Sequence, residues 1–281
     1  MYFLRLLSYL PLTALYFISD ILFYCSFYVL RYRRDIVRKN LSNSFPQKST
    51  KELKRIERHF FKNLADTSVE TLKLLTITEA SLLQRVEIDD TLTRRLGDLG
   101  HSVFGMTAHF NNWEWLLVAG SNQLGIELHA VYQKLRSPFW NHLMRQIRSR
   151  FGVVLHEKND VVRDIYRMGK KPYLMSMVAD QRPYSGEKRY WAEFMNQDAV
   201  FYTGTDSLAR RLDIKVIYAR MKRIRRGYYK VWFEELDLNP TASSPHDITN
   251  RYIQIVEEDI RNDPSSYLWT HDRWKHKKVK E

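Results

Sequence analysis

Val103-Phe-Gly-Met-Thr-Ala-His109-Phe-Asn-Asn-Trp-Glu114-Trp115 is the stretch on which the reading of the chain turns. Its first six residues form an apolar run of strand length, and a histidine ends it. Asn111 and Asn112 suit the N-cap of a helix, and an acid one turn in favours a helix starting there. A buried strand feeding a helix through a short loop is the repeating unit of α/β proteins, and chemistry gathers in such loops. His109 and Glu114 are therefore the candidate catalytic pair. Their spacing carries little weight alone. Nine histidines and 32 acids in 281 residues give about one H-x4-[DE] pair by chance, and the chain has two, the other being His276/Glu281. The strand before His109, the capping asparagines and the flanking Trp113 and Trp115 single out the first pair.

Downstream the alternation continues. Residues 128–132, 153–155, 172–178 and 216–221 read as strands, the last pairing with 228–235 across Arg225-Arg226-Gly227. Helical patterns at 113–123, 138–151, 161–168 and 206–212 lie among them, and Ser137 with Pro138 marks one start. A long helix at 248–261 precedes Asp263-Pro264. The expected fold is α/β, a mixed and largely parallel sheet flanked by helices, with an N-terminal membrane-anchor helix.

Upstream, Ser49-Thr-Lys-Glu52 is a capping box that opens a helix reaching about residue 75. Phe60, Phe61, Leu64, Val69 and Leu72 give its apolar side, and Lys51, Lys54, Arg55, Arg58 and Lys62 give a basic face. Such a face is either solvated or rests on anionic lipid headgroups, where each basic residue contributes about 1 kcal/mol. Residues 6–30 carry a single charge, Asp20. At about 1.5 Å per residue they suffice to cross about 30 Å of hydrocarbon. Pro11 and Asp20 weaken that reading, and a helix half-sunk in the interface is its rival. A cleaved signal peptide fits poorly, because the run is too long and lacks a small-residue cleavage site. Arg31, Arg33, Arg34, Arg38 and Lys39 follow the run, whereas Arg5 alone precedes it, which puts the C-terminal side in the cytoplasm. The chain divides at this level into 1–35, a membrane anchor or interfacial helix, and 36–281, a catalytic domain.

Composition agrees. A 44% hydrophobic content supports a substantial core and argues against global disorder. A net charge of +13 favours an anionic partner such as nucleic acid, anionic lipid or an acidic carrier protein. One cysteine, Cys25, rules out a disulfide framework, a CxxC pair or a zinc cluster.

An imidazole at a strand end can take a proton from an alcohol as its oxygen attacks an acyl carbonyl. A nearby carboxylate orients the ring and stabilises the imidazolium, and the spacing gives that role to Glu114. No serine or cysteine nucleophile is required, because the acceptor supplies the hydroxyl. This chemistry calls for no metal and no cofactor.

Four features in order resemble the bacterial lipid A biosynthesis (lauroyl/myristoyl) acyltransferase family. They are Arg38-Lys-Asn-Leu-Ser-Asn-Ser-Phe-Pro46 after an apolar N-terminus, His109-Phe-Asn-Asn-Trp-Glu114, Asp180-Gln181 ahead of Thr203-Gly-Thr, and Trp269 with His271-Asp-Arg-Trp274-Lys275. The resemblance implies transfer of an acyl chain from acyl carrier protein to a hydroxyl of a lipid A precursor or related glycolipid. It implies a catalytic domain facing the cytoplasm at the inner membrane. Arg136, Arg145, Arg148 and Arg150 match the family's basic region for acceptor phosphate or sugar, which forked guanidinium groups suit. Asn112, Asp180 and Glu193 complete the expected substrate-binding set, Glu193 because some relatives place an acid near the histidine. Met195 and Asn196 depart from the family's pattern. Two rival readings are acylation of another glycolipid or an aminolipid, and a basic binding protein without catalysis. No nucleic-acid motif supports a nucleic-acid partner.

Overall fold

The computed structural model describes residues 2–169, 171–183, 190–276 and 278. Glu281, of the second H-x4-E pair, lies outside them. Instead of one helix over 6–30 there are two. Helix α1 (Tyr2–Ser8) stops before Pro11, whose extended backbone (φ −60°, ψ 151°) caps α2 (Leu12–Tyr24). Proline has no N–H to donate into a preceding turn, so the break falls where its ring enters. One π-helical turn, Cys25–Val29, extends α2. By length and composition Leu12–Val29 could cross a membrane, with a mean hydropathy of 1.5 and 28% of it buried.

Leu15, Ser19, Phe23 and Phe27 recur every fourth residue and are buried, so they form the packed face of this helix. Phe17, Ile21, Tyr24 and Tyr28 lie exposed on the other side. Helix α3 (Arg34–Ser44) follows, then α4 (Thr50–Lys73), whose capping box forms as expected. The Ser49 hydroxyl accepts the Glu52 N–H at 3.3 Å, and the Ser49 N–H donates to Glu52 Oε2 at 2.8 Å. The α2–α4 seam is polar at its centre. The Ser19 hydroxyl donates to Asp66 at 2.6 Å and the Tyr16 hydroxyl to Glu70 at 2.8 Å.

Beyond α4 the chain forms α5 (Glu79–Leu83), β1 (Val86–Ile88), α6 (Thr91–Asp98), β2 (Val103–Thr107) and α7 (Trp113–Gly120). Next come β3 (Glu127–Tyr132), α8 (Pro138–Arg148), β4 (Val154–Glu157), α9 (Val161–Arg167) and β5 (Tyr173–Val178). The hairpin β6 (Tyr190–Phe194) and β7 (Gln197–Phe201) stands apart as a two-stranded sheet. After α10 (Gly204–Leu212) come β8 (Lys215–Arg225), β9 (Tyr228–Asp237) and α11 (Asp247–Asn262). The main sheet has the order β1-β9-β8-β2-β5-β3-β4, and only β8 and β9 pair antiparallel.

Strand β2 runs through the sheet interior with all five residues buried, which is why it reads as an unbroken apolar run rather than an alternation. Phe104 and Met106 pack with Tyr252 and Val256 of α11, whereas Val103 packs with Leu128 and Ile217 on the other face. At Gly105 a side chain would come within 2.8 Å of Leu174 on neighbouring β5. Several elements were not anticipated: α3, α5, α6, β1 and the β6–β7 hairpin. The helix expected over 138–151 ends at Arg148, and Phe151 turns to φ 57°.

Candidate active site

Strands β2 and β5 are parallel neighbours with Thr107 opposite Val178. Two residues beyond each lie His109 and Asp180, so the register brings both side chains to the same carboxyl edge of the sheet. Edges of this kind are where open α/β sheets place their ligands. The His109 Nδ1 lies 2.7 Å from Asp180 Oδ1, which also accepts the His109 backbone N–H at 3.1 Å. A carboxylate can only accept, so Nδ1 carries the hydrogen and Nε2 of the neutral ring holds a lone pair. Gln181 reaches that Nε2 with its amide nitrogen at 3.3 Å. Asp180 is 1% exposed. Burial alone would raise its pKa, but the His109 ring and N–H outweigh it and hold the carboxyl below its usual range.

The carboxylate in contact with the His109 ring is therefore Asp180, where Glu114 was expected. Asn111 turns the loop at φ 52°, and the Asn112 side chain caps α7 by accepting the Trp115 N–H at 3.0 Å. Glu114, buried in the first turn of α7, points at α8. Arg148 grips both its oxygens, Nε at 2.8 Å and a terminal nitrogen at 2.5 Å. Burial opposes the Arg148 charge, yet Glu114 raises its pKa. Glu114 also accepts the Trp113 indole N–H at 3.1 Å, and the Trp113 ring stands edge-on to His109 with centroids 5.1 Å apart. The carboxylate thus reaches the imidazole through a tryptophan.

The remaining expected residues scatter. Asn112 is committed to other partners, its amide donating to buried Glu70 at 2.7 Å. Arg136, between β3 and α8, and Arg145, on α8, are exposed, Arg145 lying 6.0 Å from the Tyr132 ring. Arg150 donates to the Leu74 carbonyl, a structural tie. Glu193 is exposed on β6 opposite Asp198, and among the described residues no hydrogen bond or ion pair joins it to His109. Met195 and Asn196 form the hairpin's two-residue turn, both at positive φ (53° and 63°). Helical and strand spacing shows which residues share a face of one element, but not which elements are neighbours.

Four residues at the site escaped the sequence reading in any specific role. The segment after α11 runs beneath the His109 loop. Phe110 bridges to Tyr267, Leu268 N–H donates to the His109 carbonyl at 3.1 Å, and Asn111 N–H donates to Ser266 at 2.9 Å. Asn40 of α3 holds this segment by the Trp269 and His271 carbonyls, both at 3.0 Å. The Tyr267 phenol is raised by burial and by the Asp180 charge. Burial lowers His271 to about 4, with nearby cations adding to the effect, so its imidazole is neutral at pH 7. Arg273 is 2% exposed, and among the described residues its guanidinium finds no hydrogen-bond partner. It lies 4.2 Å from the Phe201 ring centroid, and burial lowers its pKa. Among the described residues no cluster of three or more metal-binding side chains occurs.

A buried carboxylate fixing a histidine at a sheet edge fits proton abstraction from an alcohol, and comparison with known proteins narrows the chemistry. The chain is 26% identical over 261 residues to the lipid A biosynthesis palmitoleoyltransferase of Escherichia coli (strain K12), covering 90% of this chain and 82% of that protein. It is equally similar, over the same spans, to the lipid A biosynthesis acyltransferase of Shigella flexneri. Residues 1–276 match the profile of one family almost end to end. The chain belongs to the bacterial lipid A biosynthesis acyltransferase family.

Proposed function

We propose that this enzyme moves a fatty acyl chain from the thioester of acyl carrier protein to a hydroxyl of a lipid A precursor at the cytoplasmic face of the inner membrane. The observation that carries the mechanism is the 2.7 Å contact between His109 Nδ1 and buried Asp180. It leaves Nε2 to accept the hydroxyl proton while the oxygen attacks the thioester carbonyl. Asp180 stabilises the imidazolium that forms. Collapse of the tetrahedral intermediate breaks the C–S bond, and the departing thiolate takes the proton back from Nε2. Glu114 acts as a positioning residue through Trp113. A +13 chain suits an acidic donor protein. Helix α2 is tied along its length to α4, which supports a helix lying in the membrane interface with Phe17, Ile21 and Tyr28 toward lipid.

The test is an assay with purified membranes, lipid A precursor and acyl carrier protein charged with chains of different length. Transfer is expected from wild-type protein and none above background from His109→Ala. Near-normal turnover by that variant would overturn the mechanism. No transfer to lipid A precursor by wild-type protein, with transfer to another glycolipid, would overturn the acceptor.

A further inference from the structure

Beside the Ser19–Asp66 contact an open groove of about 680 Å³ lies between α2 and α4. Phe23 and Tyr24 of α2 line one side, and Lys54, Arg55, Arg58 and Lys62 of α4 line the other. Lys54, Arg58 and Lys62 stand at successive four-residue intervals, so like charges face each other along the helix and repel. Among the described residues none of the four cations makes an ion pair or side-chain hydrogen bond. Of the nearby acids, Glu52 feels the Arg55 charge but is held by Ser49, and two others are engaged elsewhere. Asp20, the only carboxylate in the lining, holds Arg226 at 2.8 Å, and Glu57 of α4 holds Arg34 at 2.8 Å. The groove is thus a positive slot with an aromatic wall. Its aromatic side continues into the exposed apolar face of α2 at Phe17 and Ile21.

We propose that this groove binds the headgroup phosphate of an anionic membrane lipid whose acyl chains lie along the exposed face of α2. An amphipathic ligand matches both walls at once. The surface of an acidic protein would satisfy the cations but press its own polar groups against Phe17 and Ile21. None of the lining residues touches His109 or Asp180, so the slot is separate from the reacting centre and does not depend on the reaction assigned to it. Its consequence is orientation: a phosphate held there fixes how the domain is rotated on the membrane.

The experiment compares flotation of the full-length protein with vesicles of phosphatidylcholine alone and of phosphatidylcholine containing phosphatidylglycerol. The variant Arg55→Gln/Arg58→Gln/Lys62→Gln changes exposed side chains only. At about fivefold per residue, it should lose roughly 100-fold in affinity for the anionic vesicles and keep its affinity for neutral ones. A control, Arg167→Gln/Arg211→Gln/Arg251→Gln, removes the same charge from distant exposed positions and should lose far less. Equal loss in both triple variants would overturn the site in favour of diffuse attraction. Displacement from anionic vesicles by millimolar glycerol phosphate would overturn it in favour of a soluble phosphate. Unchanged vesicle binding with a raised KM for acyl carrier protein would overturn it in favour of carrier docking.

Discussion

At the scale of single residues, two carboxylates near one histidine make different contacts. Asp180 touches the ring, whereas Glu114 touches Arg148 and Trp113. Asp180→Asn leaves a side chain of the same shape that can donate to Nδ1 and trap the wrong tautomer. Turnover should fall by about 10³–10⁴-fold with the melting temperature little changed. Glu114→Gln strands the Arg148 charge in a largely buried place and should cost about 3 kcal/mol or more, visible as a lowered denaturation midpoint. If the two variants show the same pattern, the division of roles fails. His271 gives a pH signature. Its folded-state pKa of about 4 lies below the ordinary value of about 6.5, so the unfolded chain takes up the proton first as pH falls. The stability it contributes is present above about pH 6.5 and is lost between there and about pH 4, amounting to about 3 kcal/mol. Denaturant titrations of wild type and His271→Phe at about pH 7 and about pH 5 should show that slope in the wild type and a reduced one in the variant.

At the scale of elements, the sequence displayed most of what lies along one strand or helix. The capping box before α4, the apolar run of β2 and the Arg225-Arg226-Gly227 hairpin are local patterns, and each is in place. Ser49→Ala should cost about 1 kcal/mol by removing the acceptor for the Glu52 N–H. Gly227, at φ 72°, has the Tyr16 hydroxyl 2.1 Å from where a methyl would sit. Gly227→Ala is expected to destabilise by more than about 1 kcal/mol, measured by thermal unfolding. What could not be read locally was pairing. The partner of His109 is 71 residues away, and only the order of β2 and β5 in the sheet reveals it. The three-residue β1 is too short to show a period, and Pro11 divided an apolar run that hydropathy alone would join.

At the scale of the whole molecule, Asp66 ties three parts of the chain together. It accepts from Ser19 of α2 and forms ion pairs with Arg223 and Arg226 of the β8–β9 hairpin. Asp66→Ala would leave two partly buried guanidinium groups short of an acceptor, at a cost of about 3–5 kcal/mol. Limited proteolysis should then cut between α2 and α3 in conditions where the wild type resists. The other long-range tie is the segment under the His109 loop, which Asn40 of α3 also grips. Its consequence lies in time. Chains emerge from the ribosome in order, and earlier parts fold while later ones are still being made. Helices α1 to α4 and the strands are therefore made before residues 263–276, and His109 waits for its floor. Competence waits on that late segment, after the apolar helices have already had the chance to find their surroundings.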